Sequence, residues 1–256
     1  MTATAAVPAA VAESSTRIRP VEIWRIVRLH TVNPSIFFIV PTLILAGAWA
    51  VTMFVAYLII GVAGVPAEET AFTYSWAVLS PQWYLIVVGV QAIAFTFPFA
   101  LGFGATRRDY WVGTGLMFVL ISLMYAATIA TLLMLERATG GWWIGAGMFD
   151  ALWYVGADWL TAFYTTFSLQ LLVLFIGAAV TTVFMRWRMK GMIILLFGSV
   201  AAVLSLVAGL TLTESWPAVF AWLGSIGLVG VFTVVLGLAA ACSVAGYLVI
   251  RRATPR

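Results

Sequence analysis

Six apolar runs, each long enough to cross a bilayer and almost free of charge, constrain this chain more than any motif in it: 36–63, 83–104, 115–135, 161–185, 191–212 and 217–250. In hydrocarbon each backbone N–H and C=O must find its partner inside the segment, so about 20 consecutive apolar residues imply a spanning α-helix. Composition agrees, with 64% of residues hydrophobic and 9% charged, where a soluble domain carries about 25% charged residues. The expected fold is an all-α integral membrane protein with six transmembrane helices, which puts both ends on one side. The cations decide which side. They gather at 17–28, 107–108, 186–190 and 251–256, all on one face of that topology, and of 13 only Arg137 falls on the other. By the positive-inside tendency the N- and C-termini are then cytoplasmic. Glu68, Glu69, Glu136, Asp150, Asp158 and Glu214 fall outside, and Glu13, Glu22 and Asp109 inside. The net charge of +4 therefore reflects orientation in a membrane and gives no reason to expect nucleic acid as a partner.

Three parts are expected along the chain. Residues 1–16, alanine-rich and aperiodic, read as a disordered tail. They do not read as a secretory signal, because the arginines begin only at Arg17 and the apolar run that follows is too long. Residues 17–34 read as an amphipathic connecting helix: Pro20 suits a first turn, Glu22 sits near the positive helix end, and Glu22, Arg25 and Arg28 recur at spacing three beside apolar Ile23, Trp24, Ile26 and Val27. Residues 35–256 then form a single six-helix transmembrane domain. Its last run is too long for one crossing. As one helix 217–250 would extend about 50 Å, whereas a ~30 Å core crossed even at 40° needs about 26 residues. Gly224, Gly227 and Gly230 are the weak points, so "WPAVFAWLGSIG" is expected as a re-entrant helix in the outer leaflet, with the true span at about 229–250. A long tilted helix is the alternative.

Away from their ends the six runs contain no Lys, Arg, Asp, Glu or His, and ion-coupled transporters generally place ionisable groups there. Gln91 and Gln170 are the strongest mid-span polar groups, and either a bond between helices or a lining role in a substrate path suits them. The one histidine, His30, reads as an interfacial residue. With it and a single Cys242 the chain offers no metal cluster, no internal disulfide and no Ser–His pair in the bilayer, and it is not expected to be an enzyme. It has no G-x-x-x-x-G-K-[ST] loop, so energy for active transport must come from another subunit. Between the third and fourth runs, Trp142, Trp143, Trp153, Trp159 and Tyr154 suit an interfacial helix.

The stretch "FPFALGFGATRRDYWVGTGL" at 97–116 is the most specific. Thr106 followed three residues later by Asp109 matches a helix cap, and Gly102, Gly104 and Gly113 permit sharp entry and exit. A separate helix of about two turns, parallel to the membrane, is expected, with Arg107, Arg108, Tyr110 and Trp111 set to enter a groove on a cytosolic partner. A plain positive inner loop is the simpler alternative. This stretch, together with the amphipathic helix leading through "TVNP" into the first run and the six-run topology, resembles small bacterial ABC exporter permeases of the ABC type-two class. The resemblance implies the transmembrane subunit of an ATP-driven exporter, multi-pass in a bacterial plasma membrane, moving a hydrophobic or amphiphilic substrate outward. It implies a second permease subunit, as homo- or heterodimer, and a cytosolic ABC ATPase that uses ATP and Mg, with no cofactor in this chain. On that resemblance 106–111, meaning Thr106, Arg107, Arg108, Asp109, Tyr110 and Trp111, becomes the ATPase-coupling helix. Glu22, Trp24, Arg25 and Arg28 fall in the connecting helix, and 216–230 becomes the re-entrant element. Rival readings are a non-transporting immunity or sensor partner and an ion-independent channel.

Overall fold

The computed structural model describes residues 20–66, 72 and 75–252. The tail at 1–16, the cations Arg17, Arg19 and Arg256, and the acids Glu68 and Glu69 lie outside the described residues. All regular structure among those described is helical. Helix α1 (Pro20–Thr31) carries Glu22 in its first turn and Arg28 and His30 in its last, the charge order that favours the helix dipole. Ile26, Val27 and His30 are its buried residues. They pack against the helix Arg107–Ala138 so closely that a Cβ at Gly113 would lie 2.8 Å from the Ile26 side chain. The connecting helix thus rests on protein, and its Val21 and Trp24 remain exposed.

Among the described residues five further helices are long and apolar enough to cross a membrane: α2 (Ser35–Val62), which widens to π turns at Ser35–Ile39 and Tyr57–Val62, α3 (Ser80–Gly102), α4 (Arg107–Ala138), α5 (Trp159–Leu212) and α6 (Trp216–Ile250). Where six separate runs were expected, two of them share α5. Its 54 residues would extend about 80 Å if straight, but the helix breaks at Arg188, where φ is 53° and ψ −143°. That conformation is nearly closed to residues with a Cβ. The arms 159–187 and 189–212 meet at this arginine without a loop. Helix α6 breaks at Gly227, with φ 64° and ψ −178°, a conformation glycine adopts without a steric penalty. Of the three glycines expected to hinge this run, only Gly227 does so; Gly224 and Gly230 are helical.

Small residues set the tightest contact. A Cβ at Gly89 of α3 would lie 2.3 Å from the Leu174 carbonyl oxygen of α5, and one at Gly177 of α5 would lie 2.2 Å from that of Ile86. Helices in lipid gain little from burying apolar surface, so such backbone approach supplies the dispersion contacts that hold them. Phe118 of α4 meets Phe175 of α5 edge to face at 5.3 Å, and α6 is joined to α5 by a Tyr164–Thr233 hydroxyl bond of 2.9 Å. The second arm of α5 lies outside this core, with almost every residue from Ile193 to Leu212 exposed. Apolar side chains facing outward are what lipid as solvent permits.

Candidate functional site

Helix α4 begins at the capped stretch. Thr106 is extended (φ −76°, ψ 153°), its Oγ1 accepts from the Asp109 amide at 3.1 Å, and its hydroxyl donates to Asp109 Oδ2 at 2.8 Å. The cap is as expected, but the separate two-turn helix is not. The chain stays helical from Arg107 to Ala138 with no break, because Gly113 serves the contact with α1 and leaves no exit turn. Nor do Tyr110 and Trp111 face a partner. Asp109, Tyr110 and Trp111 are all buried, since the helical period that leaves Arg108 and Val112 outside carries the residues between them inward. Tyr110 donates to the Ala92 carbonyl at 2.6 Å and shares a 2.8 Å hydroxyl bond with Thr96. The Trp111 ring fills the space over Gly246, where a Cβ would lie 2.5 Å from it. Arg107 Nη1 donates to the Arg251 carbonyl at 2.7 Å, satisfying one of the orphan carbonyls at the end of α6. The middle of α1, the start of α4 and the end of α6 therefore converge here. On α1, Glu22 and Arg25 pair with each other at 2.8 Å, while Trp24 and Arg28 are exposed.

A cavity of about 490 Å³ lies beside this point, lined by His30, Asn33, Gln91 and Thr96 on its polar side and by Phe95 and Phe99 among its apolar residues. His30 is not the interfacial residue expected from its place beside Arg28: it is 2% exposed. Its Nε2 shares a 3.0 Å hydrogen bond with Thr114 Oγ1, the Phe37 ring stands edge-on at 5.4 Å, and Nδ1 has no hydrogen-bond partner. Desolvation lowers its pKa to about 4, so the imidazole is neutral at pH 7. The two mid-span amides part company. Gln91 lines this cavity, whereas Gln170 is fully buried in α5 with neither amide atom hydrogen-bonded, so it makes no bond between helices.

The third polar cluster was not anticipated from the sequence. The expected interfacial helix between α4 and α5 is instead an irregular folded loop. Trp142, Trp143 and Leu152 sit at positive φ, a strained region for residues with a Cβ. Glu136, 2% exposed, gathers the loop from within. Its Oε2 accepts from Trp142 Nε1 at 2.7 Å and from the Met148 amide at 2.8 Å, and its Oε1 accepts from the amides of Phe149 at 3.0 Å and Asp150 at 2.8 Å. Next to it Arg137 grips Asp150 with two bonds, of 2.6 and 3.0 Å, and donates to the carbonyls of Tyr154, at 2.7 Å, and Ala157. Trp142 then packs on Trp49 of α2 at 5.2 Å, and Tyr154 is buried with its hydroxyl on Thr166, 2.8 Å away. The available signal was Arg137 itself, the one cation expected on the outer side, adjacent to an acid and followed by "TGGWWIGAG".

Buried small-residue contacts, apolar flanks turned outward and five helices of spanning length define a helical, membrane-embedded protein. No family model, curated protein or solved structure matches the chain.

Proposed function

We propose that the chain is the transmembrane subunit of an ATP-driven exporter in a bacterial plasma membrane. It spans six times, with the two arms of α5 as separate spans and both ends cytoplasmic, and 216–226 re-enters the outer leaflet before the last crossing. The observation that carries this reading is the junction at the start of α4. Thr106 and Asp109 cap the helix, Arg107 ties it to the end of α6, Gly113 seats it on α1, and Arg108 is exposed on the cation-rich face. A push from a cytosolic ATPase at this junction is transmitted into α4 and α6 together, with no free-standing coupling helix. Thr106, Arg107 and Arg108 form its outer surface, while Asp109, Tyr110 and Trp111 brace it from within. ATP and Mg belong to the ATPase, a second permease subunit completes the assembly, and the substrate is hydrophobic or amphiphilic.

Extraction of the native complex in mild detergent tests this. Wild-type protein is expected to carry a Mg-dependent ATPase through purification and Arg108→Glu to lose it. Equal co-purification combined with unchanged ATP-dependent transport in inverted vesicles would sink the proposal.

A further inference from the structure

The break in α5 at Arg188 makes a cleft as well as a turn. We infer that this cleft holds one anionic phospholipid, of the phosphatidylglycerol class, with its phosphate on Lys190 and an acyl chain along Val183, Ile194 and Leu195; this rests on the reading that both arms of α5 enter the bilayer. Val183 and Trp187 of the first arm and Lys190, Gly191, Ile194 and Leu195 of the second line a cleft of about 530 Å³, within the ~300–1,000 Å³ of ligand pockets. Its closed end is at Gly191, where a Cβ would lie 2.6 Å from that of Trp187 and 3.2 Å from Val183 Cγ1. Ile194 and Leu195 lie about 6–8 Å further along the second arm than Lys190, and Ile194 is 73% exposed. The cleft therefore runs from the cationic elbow along the apolar run 191–212, toward the bilayer centre.

The cleft has the polarity of this ligand. Lys190 is exposed at the elbow end and has no ion pair among the described residues. The Arg186 guanidinium lies 4.3 Å from the centre of the Trp187 ring, so a second cation borders the same wall. No Asp or Glu occurs in α5, and the two described acids expected on the cation-rich side are engaged elsewhere, Glu22 with Arg25 and Asp109 in the cap of α4. A zwitterionic head would bring an ammonium group here with no carboxylate to meet it, whereas a net-negative head meets cations alone. Trp187 supplies the amphipathic ring that suits headgroup depth, and beyond it the lining is aliphatic, which accepts a chain and no second charge. Arg188 itself is held at φ 53° and ψ −143°. Backbone strain of this kind clusters at ligand sites, and here it turns the chain within one residue, which keeps Lys190 at the same mouth as Trp187.

The test uses the full chain in phosphatidylcholine nanodiscs doped with a phosphatidylglycerol probe that carries a diazirine in one acyl chain, and in parallel with the phosphatidylcholine analogue of that probe. After irradiation, peptide mass spectrometry is expected to place phosphatidylglycerol adducts in 183–195 in excess of those from the analogue, and unlabelled phosphatidylglycerol to suppress them. Lys190→Gln, at an exposed site, should lower that labelling about fivefold, the effect of one lost cation at a membrane surface. Leu195→Trp, which fills the cleft and leaves each cation in place, should lower it too. Equal labelling by the two probes would overturn the inference and leave both arms in the bilayer, solvated by ordinary lipid. Labelling unchanged in Lys190→Gln or in Leu195→Trp would overturn it in favour of charge attraction to the surface without a cleft. Labelling of 183–195 by neither probe would overturn it together with the two-span reading of α5.

Discussion

Replacing Glu136 with glutamine tests whether one side chain organises the α4–α5 loop. The substitution keeps shape and length and turns one carboxylate oxygen into an NH2 group. Whichever oxygen is lost, two donors are affected: Trp142 Nε1 and the Met148 amide lose their acceptor on Oε2, or the Asp150 amide loses its acceptor on Oε1 and the Phe149 amide is left with only its longer 3.2 Å bond to Oε2. The new N–H groups then point at N–H groups. A hydrogen bond to a charged acceptor contributes about 1.5–3 kcal/mol, so two of them amount to roughly 3–6 kcal/mol. The loop has little to offset that loss, because Trp142, Trp143 and Leu152 are held at positive φ, each at about 1–3 kcal/mol of strain. In detergent the expected results are a fall in thermal midpoint of roughly 6 °C or more and new protease cleavage between 139 and 158. Asp150→Asn serves as the comparison. It weakens only the Arg137 pair, whose side chains are 28% and 33% exposed, and should cost about 1 kcal/mol or less. If Glu136→Gln kept the wild-type midpoint and a protease-resistant loop, the carboxylate would not be the organising group and the reasoning would fail.

Acidification should destabilise the protein through His30. With the folded pKa lowered to about 4 and the unfolded value near 6.5, the stabilisation is complete above pH 6.5. It is lost as pH falls through the window from about 6.5 to 4, because only the unfolded chain binds the proton there; the full loss is about 3 kcal/mol. His30→Gln should flatten that part of a midpoint-against-pH curve, and a curve of unchanged slope refutes the assignment, since the chain has no other histidine. Gly89→Leu should abolish the contact between α3 and α5, since even its Cβ would lie 2.3 Å from a backbone oxygen. A loss of about 3 kcal/mol or more is expected, read as a lower midpoint or as failure to purify monodisperse. Gly227→Ala should cost about 2 kcal/mol, because φ is 64° there, and a neutral substitution would mean that α6 has no break at that residue. Arg107→Ala should speed hydrogen exchange of the amides around 247–252 while barely moving the midpoint, since the lost bond to the Arg251 carbonyl is exposed.

Legibility in the sequence followed the range of the interaction concerned. The apolar runs were legible because hydrocarbon imposes its requirement segment by segment, and the Thr106–Asp109 cap because a cap closes within one turn. Gly227 was legible only to within three glycines, because composition marks where a helix can break and packing selects the residue that does. What failed depended on partners far along the chain. Gly113 looked like an exit from a short helix until Ile26, from another helix, occupied its open face. His30 looked interfacial because Arg28 is its sequence neighbour, whereas Thr114, 84 residues away, is its neighbour in space. Arg188 gave no warning at all, since arginine is among the residues least expected at φ 53°.

The errors share a physical cause with a bearing on the transport proposal. Helices in a bilayer all bury their backbone polar groups alike, so specificity between them rests on a few small or polar residues, and the same residues decide which helices move together. Gly113 joins α1 to α4, Trp111 and Arg107 join α4 to α6, and Gly89 with Gly177 joins α3 to α5. A displacement imposed at Arg108 would therefore be shared by α1, α4 and α6, and by α3 through the Tyr110 bonds to Ala92 and Thr96. The cavity is lined by Leu29 and His30 of α1, by Ile36 and Phe37 of α2 and by Gln91, Phe95, Thr96 and Phe99 of α3, so it lies where these three helices meet, beside the Tyr110 bonds that tie α4 to α3.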